Sequence, residues 1–401
     1  MPLEYWTAKQ SADFLGIRPA SLYAYVSRKG IRSVAVPGTR EHRYLRSDIE
    51  GVRKRKGRTV PSDDGMELKS AITLITEDGP YYRGQSASKL AHSATIETVA
   101  ALLWDVDEAV FDEEPPAADP AIAELNRHLV GAPAMHRALA LFPFLEESTP
   151  RAFDLSREGM ALTGTHIMRW LAAIMLRQSA ARSEPIHAQF GKALNLNERL
   201  SELLRRLLVL SADHGFEEAT YAVRYVASTG VTPWRIVATG LSVTTGRASK
   251  FGRNDAVRRL LAEIVASRDG TQPVLERIKG NEDIPGFASV VYPKGDPRAR
   301  ALLDHCDEVM AGDKEYKMLK RALQTANEYK GLQPNFALAT LFADMKFRSA
   351  RKSRTQNADF SETPFIVGRT AGWIAHAIEQ YALGETGRRT VDYRGLLPMP
   401  A

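Results

Sequence analysis

In this 401-residue chain, few short motifs place metal-binding or nucleophilic side chains at the spacing of a catalytic or metal site. His376 and Glu379 lie one helical turn apart and could share a metal ion, but two ligands are too few for a stable site. The single cysteine, Cys306, follows His305, and chain neighbours on a helix do not face each other. One cysteine and the lack of an HExxH motif exclude a cysteine-based zinc site and the zincin class. The sequence therefore predicts no metal and no resident cofactor.

The charged side chains are distributed unevenly along the chain. Residues 1–60 contain 13 Lys+Arg and 5 Asp+Glu, whereas residues 61–401 contain 41 and 43. A basic segment on a near-neutral body is typical of a nucleic-acid contact, and the alternative is a solubilising basic face. The overall net charge of +6 conceals this contrast.

The composition is that of an ordinary globular protein, with 44% hydrophobic and 25% charged residues. Apolar runs are far shorter than the roughly 20 residues of a membrane span, and the N-terminus lacks the layout of a signal peptide. A single cysteine fits a reducing compartment. We therefore expect a cytoplasmic protein that does not enter a membrane.

The elements of residues 1–58 are predicted from capping residues and hydrophobic spacing. Thr7 and Gln10 have the spacing of a capping box, and Gly16 ends the first helix. Pro19 suits the first turn of a second helix. An alternating stretch over 32–36, a Pro-Gly turn and a return strand over 42–44 indicate a basic hairpin.

This order of elements over residues 5–56 resembles the winged helix–turn–helix of the MerR and excisionase type. The resemblance implies that the second helix enters the major groove of DNA and that the hairpin contacts its backbone. The residues it places against bases or phosphates are Ser21, Tyr23, Arg28, Arg40, Arg43 and Arg46. The alternative is a helical accessory domain that does not bind DNA.

Residues 59–66 are predicted to be an interdomain linker because they combine Gly, Pro, Ser and Asp without an apolar pattern. The remainder of the chain has mainly helical periodicity. The helices predicted from this periodicity are Leu200–Ser211, Asp255–Ser267, Arg298–Met310, Tyr316–Tyr329 and Thr370–Leu383. A strand-like piece, Ala71–Ile75, precedes them, and a turn at Asp78-Gly79-Pro80 leads into Tyr81–Gly84.

Several short motifs then occur in a fixed order. They are SAIT (70–73), YYRG (81–84), ADH (212–214), VAST (226–229), VYPKGDPRA (291–299), PN (334–335) and GRTAGWIAH (368–376). Together they resemble the citrate synthase family over about residues 66–398. The resemblance implies condensation of acetyl-CoA with the dicarboxylate oxaloacetate, so an acyl-CoA is expected as a ligand or substrate.

The resemblance also implies the architecture. We expect a mainly α, two-lobed all-helical fold preceded by the small winged helix–turn–helix domain. The large lobe is predicted from 67–251 and 346–398, and the small lobe from 252–345. The family forms dimers, which here would be homodimers or heterodimers with a citrate synthase homologue.

Residues of two kinds matter for such a reaction. The first kind binds a small dianion, for which the planar, permanently charged guanidinium of arginine is well suited. The positions that the resemblance assigns to this role are His214, Arg298, Arg369 and Arg388, the last near the C-terminus. At Arg388 the sequence RRTVDYRG departs from the spacing of the family.

The second kind moves protons, and here the chain departs from the family. Ala337 stands at the position of the family's catalytic aspartate, and Ser289 at that of one histidine. Lys250 or Ser249 stands at that of the other histidine. Losing one general acid or base costs a rate factor of roughly 10²–10⁴. The sequence therefore keeps groups that bind an anion and replaces all three that move protons.

Three functions remain open. The first is a non-catalytic sensor of a dicarboxylate or acyl-CoA that also binds DNA. The second is an active acyl-CoA condensing enzyme with rearranged catalytic groups or a different acceptor. The third is a silent subunit paired with an active citrate synthase homologue.

Overall fold

A computed structural model of the chain describes eleven stretches of residues. They are 5–29, 31–36, 38–46, 48–50, 52, 70–116, 119–129, 131–215, 217–246, 254–350 and 363–384. These residues form two compact units, one containing the described residues up to 52 and the other those from 70 onward.

The first unit combines two helices with a small antiparallel sheet. Its elements are β1 (Tyr5–Thr7), α1 (Ala8–Leu15), α2 (Pro19–Lys29), β2 (Ser33–Ala35) and β3 (His42–Leu45). The strand order is β1-β3-β2, with Trp6 opposite Tyr44 and Val34 opposite Arg43. A small core beneath it contains Leu15, Leu22, Ile31, Tyr44, Ile49 and Val52.

Local signals explain where these elements begin and end. The Thr7 hydroxyl accepts a hydrogen bond from the Gln10 amide, and the Gln10 side chain accepts one from the Thr7 amide. This is the predicted capping box. Gly16 then ends α1 with a φ of 65°, a conformation that glycine adopts without strain. The sequence did not predict β1, because its three residues are too short to show alternation. The predicted linker, residues 59–66, lies outside the described residues.

The second unit begins with a short meander and is then mainly helical. Its strands are β4 (Thr73–Thr76), β5 (Gly79–Tyr82) and β6 (Gln85–Ser86), and they pair in that order. Its α-helices are α3 (Ala87–Ser93), α4 (Ile96–Trp104), α5 (Pro120–His128), α6 (Ala134–Glu147), α7 (Arg157–Met175), α8 (Ile186–Leu194), α9 (Glu198–Ser211), α10 (Glu218–Ala227), α11 (Pro233–Thr244), α12 (Asn254–Ala266), α13 (Gln272–Lys279), α14 (Pro297–Val309), α15 (Lys314–Lys330), α16 (Phe336–Ala350) and α17 (Thr363–Leu383). Glu108–Phe111 and Pro150–Phe153 form short 3₁₀ helices.

Helices α7 and α17 form the centre of this unit. Every residue of α7 from Gly159 to Met175 is buried, as are nearly all residues of α17. Helix α17 packs against α4, α7, α9, α10 and α11. A Cβ at Gly372 would lie 2.4 Å from the carbonyl oxygen of Ala212, so glycine is required for α17 to approach the chain after α9 so closely.

All five helices predicted from periodicity are present, and their ends differ from the predicted ones by at most seven residues. The largest difference is in α17, which begins at Thr363 rather than Thr370. The helix extends further because its first turns are also buried and apolar. The division into a large and a small lobe stays a prediction. No helix in the described stretches combines the length and apolarity needed to cross a bilayer.

Candidate functional site

A cavity of about 1190 Å³ lies in the second unit. Its wall is formed by the turn between α9 and α10, by α12, α16 and α17, and by the loop before α14. The polar side chains of the wall that matter below are His214, Glu217, Ser289, Arg298 and Arg369. The structure therefore brings together three of the four residues that the sequence assigns to anion binding.

His214 lies in the turn between α9 and α10 and is 7% exposed. Its Nε2 shares a hydrogen bond of 2.8 Å with the hydroxyl of Tyr292, and its Nδ1 lies 3.7 Å from a Glu217 carboxylate oxygen. Burial, aided by the nearby Arg298, lowers the pKa of His214 to about 4. At neutral pH this imidazole is uncharged and contributes hydrogen bonds rather than charge.

Arg369 projects from α17 and is 1% exposed. Its guanidinium lies over the ring of Phe365, 5.0 Å from the centroid, and 3.3 Å from a carboxylate oxygen of Glu217. Asp213 approaches it to 3.8 Å. Within the described stretches, none of its three guanidinium nitrogens makes a hydrogen bond. Buried nitrogens in this state favour an anionic ligand, because an unmade hydrogen bond inside a protein is costly.

A buried polar chain continues behind Arg369. Burial alone would raise the pKa of Asp213, but His376 and Arg369 hold it below its ordinary value. The Asp213 carboxylate lies 3.2 Å from Nε2 of His376, whose Nδ1 faces Arg224 at 3.4 Å. Arg224 is paired with Glu379, and Glu379 accepts a hydrogen bond of 2.6 Å from the amide of Ala71.

Arg298 is positioned by the start of α14. Asp296 caps that helix and Pro297 occupies its first turn, an arrangement typical of helix N-termini. The Asp296 carboxylate accepts hydrogen bonds from Nε and Nη2 of Arg298 at 3.1 and 2.8 Å. Burial alone would lower the pKa of Arg298, but the interaction with Asp296 outweighs burial and raises this pKa. The guanidinium also lies 4.4 Å from the ring centroid of Phe336.

The two positions at which the sequence predicts replaced proton-moving groups lie in the loop before α14 (Ser289) and in the first turn of α16 (Ala337). Asn335 joins them, because its amide donates to the carbonyl oxygen of Gly286 and its side chain to that of Ala288. Ser289 and Ala337 both line the cavity. The Ser289 hydroxyl accepts a hydrogen bond from the amide of Tyr292. A methyl group cannot accept a proton, so position 337 can supply no base.

Several predicted residues cannot be placed. Ser249, Lys250 and Arg388 lie outside the described residues. The roles that the sequence assigns to these and to the other residues of the site stay predictions. The pairing of His376 and Glu379 as metal ligands is not observed. Each instead contacts Arg224, and no cluster of three metal-binding side chains occurs among the described residues.

Sequence reasoning missed Glu217 and Tyr292. Glu217 follows His214 by three residues, and Tyr292 is part of the VYPKGDPRA motif. The spacing of Glu217 from His214 was a visible signal, but its meaning depends on Arg369, which is 152 positions away along the chain.

The predicted DNA-contacting residues are distributed over the first unit. Ser21, Tyr23 and Arg40 are exposed, and Tyr23 retains 62% of its surface. Arg43 lies in β3 and is half-buried. Arg46 lies over Trp6 and forms an ion pair of 2.6 Å with Glu50. Arg28 lies in α2, and its side chain is outside the described set.

Comparisons with known proteins match most of this chain. The family described as "Citrate synthase, C-terminal domain" matches residues 64–390. A citrate synthase from Haloferax volcanii is 28% identical over 369 residues, which cover 82% of this chain and 94% of that protein. Citrate synthase 2 from Bacillus subtilis is 24% identical over 358 residues, which cover 81% and 93%.

Solved structures show the same fold. A citrate synthase from Pyrobaculum aerophilum matches with a TM-score of 0.67 at 19% identity, covering 92% of this chain and 97% of that one. A citrate synthase from Thermoplasma acidophilum, in a ternary complex with carboxymethyl coenzyme A and oxaloacetate, matches with a TM-score of 0.64 at 17% identity. It covers 84% of this chain and 96% of that one. The family match begins at residue 64, so the winged helix–turn–helix assignment of residues 1–58 is not shown and stays a prediction.

Proposed function

Because this chain belongs to the citrate synthase family, we propose that it is a citrate synthase-type acyltransferase that joins an acyl group from an acyl-CoA to a small keto acid. The observation that carries this proposal is that His214, Arg298 and Arg369 line one cavity. Relatives named citrate synthase match along nearly their full length, which favours a condensing enzyme over the sensor expected first.

The cavity has the groups that would bind the keto acid. The buried guanidinium of Arg369 has nitrogens to offer to a carboxylate, and such charge-assisted bonds are stronger than neutral ones. His214 is neutral and hydrogen-bonded to Tyr292, which fixes its ring. A fixed, uncharged imidazole can bind a polar oxygen of the ligand without repelling the neighbouring Arg298.

Proton transfer in this enzyme must use groups other than those at positions 289 and 337. We assign it to Lys250, which the resemblance offers, with Ser249 as the alternative, at the position where the family has a histidine. The neutral amine of a lysine can take the methyl proton of the acyl-CoA, and the ammonium so formed can donate it to the keto oxygen of the acceptor as the carbon–carbon bond forms. Water then cleaves the thioester and releases the thiol. The roles of acid and base therefore fall on fewer side chains than in the family.

Turnover and binding can be measured separately on the purified full chain. We expect acetyl-CoA and a keto acid to raise the melting temperature, and free thiol to appear when both are present. Lys250→Ala should abolish thiol release and retain the shifts in melting temperature. Lys279→Ala, which removes an exposed lysine from the end of α13, is the matched control. The absence of thiol release with oxaloacetate, pyruvate and glyoxylate would contradict the proposal.

A second function is favoured by Ser289 and Ala337. Neither side chain can replace a catalytic histidine or aspartate, which supports a non-catalytic protein that senses a small acid or acyl-CoA. Melting-temperature shifts without thiol release would favour it. Co-purification with an active citrate synthase homologue would instead favour the silent-subunit alternative, with the chain in a heterodimer rather than a homodimer.

We also propose that the first unit is a winged helix–turn–helix that binds DNA. The proposal is supported by the excess of basic residues in 1–60 and by the exposure of Ser21, Tyr23 and Arg40. A domain of this kind attached to an acid-binding cavity would couple a metabolite to DNA binding.

A further inference from the structure

Among the described residues, the two buried arginines of the cavity each lie close to a carboxylate. Arg298 is paired on two nitrogens with Asp296, and Arg369 lies 3.3 Å from Glu217. Arg369 also lies 3.8 Å from Asp213. A cavity whose arginines are paired in this way differs from one whose arginines are both available to a dianion.

Of the two carboxylates that line the cavity beside these arginines, Glu217 and Asp296, Glu217 is the more exposed. It lines the cavity, its side chain is 16% exposed, and its two carboxylate oxygens point to different partners. One oxygen lies 3.7 Å from Nδ1 of His214 and the other 3.3 Å from Arg369. Asp296 differs, because its carboxylate also caps α14 through the amide of Arg298 and is fixed there.

Resting on the function proposed above, we infer that Glu217 is a specificity-determining residue that sets the cavity for keto acids carrying one negative charge. A monocarboxylate can use the unbonded nitrogens of Arg369 while Glu217 keeps its own pairing. A dicarboxylate would bring a second negative charge close to the Glu217 carboxylate. Placing like charges together in a buried site is strongly unfavourable.

The neutral state of His214 reinforces this selectivity. Burial and the nearby Arg298 disfavour its protonation, so it adds no positive charge to offset a second ligand carboxylate. The remaining close carboxylate, Asp213, lies 3.2 Å from His376 behind Arg369. Glu217 is thus the carboxylate beside Arg369 that lines the cavity and would meet a second ligand carboxylate.

Oxaloacetate and pyruvate form a suitable pair of probes, because pyruvate is the same keto acid without the second carboxylate. Calorimetric titration of the full-length protein with each gives a ratio of dissociation constants. We expect the wild type to bind pyruvate at least as tightly as fresh oxaloacetate. Glu217→Gln removes the charge at nearly constant shape and should tighten oxaloacetate binding by about tenfold or more relative to pyruvate.

Two further variants separate charge from side effects. Glu217→Asp retains the charge and should retain the preference of the wild type, even where overall affinity changes. Glu218→Gln removes the neighbouring carboxylate, which is exposed to solvent, and should leave both constants unchanged. Melting temperatures of all variants verify that each is folded.

The outcomes distinguish this inference from the proposed function. Tighter binding of oxaloacetate than pyruvate by the wild type, with the same ratio in Glu217→Gln, overturns the role of Glu217 and leaves the keto-acid site in place. Binding of neither probe to any variant overturns both.

Discussion

At the scale of single residues, His214 couples the cavity to the stability of the protein. Its pKa in the folded chain is about 4, because burial and Arg298 disfavour the charged ring, whereas an exposed histidine has a value of 6.5. Below pH 6.5 the unfolded chain therefore takes up a proton that the folded chain does not accept until about pH 4. Acidification favours unfolding over this interval.

We predict that the free energy of unfolding falls as the pH is lowered from 6.5 to 5, and that His214→Gln reduces this fall by about 2 kcal/mol. Urea denaturation at a series of pH values measures it. Tyr292→Phe is the control, because it removes the hydrogen bond to His214 but keeps a buried imidazole. A profile for His214→Gln parallel to that of the wild type would count against the buried, neutral state. His166, whose pKa burial also lowers to about 4, accounts for part of the remaining slope.

Ala288, beside Ser289, has a φ of 61°, in the left-handed region that glycine adopts more readily than alanine. For an alanine this conformation costs about 1–2 kcal/mol of folding free energy. A glycine avoids that strain, but its unfolded state is more flexible, so part of the gain is offset by entropy. We predict that Ala288→Gly raises the free energy of unfolding by about 1 kcal/mol. The same substitution at Ala301, inside α14, should lower it by about 1 kcal/mol. Thermal denaturation of both variants measures the two changes. Equal losses of unfolding free energy in both variants would contradict the strain assigned to Ala288.

At the scale of elements, the approach of α17 to the end of α9 positions the cavity. The amide of Gly372 donates a hydrogen bond to the carbonyl oxygen of Ala212, and Asp213 and His214 follow immediately. An added Cβ would lie 2.4 Å from that oxygen and 2.7 Å from the Asp213 carboxylate. Neither group has room to move, because Asp213 is fully buried.

We predict that Gly372→Ala lowers the free energy of unfolding by about 2–3 kcal/mol and weakens keto-acid binding, because the backbone at residues 212–214 must shift. Chemical denaturation and calorimetry measure the two effects. Gly312→Ala is the control, since an added Cβ there meets no atom within 4 Å. An unchanged binding constant in a destabilised Gly372→Ala protein would show that the helix contact does not position the site.

The elements were predictable where the signal is local. The capping box of Thr7 and Gln10 is encoded by residues three positions apart, and it is present. The start of α17 was missed because a fully buried helix lacks the one-sided periodicity that marks a boundary. The pairing of Glu217 with Arg369 depends on how α10 packs against α17, which no local pattern encodes. The motifs contain His214, Arg298 and Arg369, which line the cavity, and tertiary packing determines their charge partners.

At the scale of the whole molecule, the basic residues are concentrated in the first unit. Sequence-independent binding to DNA comes from basic side chains that neutralise phosphates. The logarithm of its binding constant falls linearly with the logarithm of the salt concentration. Arg40, which is exposed, and Arg43, which is half-buried, lie in the turn before β3 and in β3 itself.

We predict that the full chain binds duplex DNA with marked salt sensitivity, and that Arg40→Gln/Arg43→Gln reduces the salt slope by about 1–2. Fluorescence anisotropy of a labelled duplex over a salt series measures the slope. Lys192→Gln/Lys320→Gln removes the same charge from exposed positions of the second unit and should leave the slope unchanged. Binding that is absent or insensitive to salt would contradict a DNA-binding first unit.

The buried polar chain behind Arg369 ends at the amide of Ala71, at the start of the second unit. Each link holds the next, from Asp213 through His376 and Arg224 to Glu379. A ligand that draws Arg369 toward itself would weaken the hydrogen bond between the Ala71 amide and Glu379 at the far end of the chain. Hydrogen–deuterium exchange at the Ala71 amide therefore reports whether the cavity is occupied, and its rate should change when a keto acid is added.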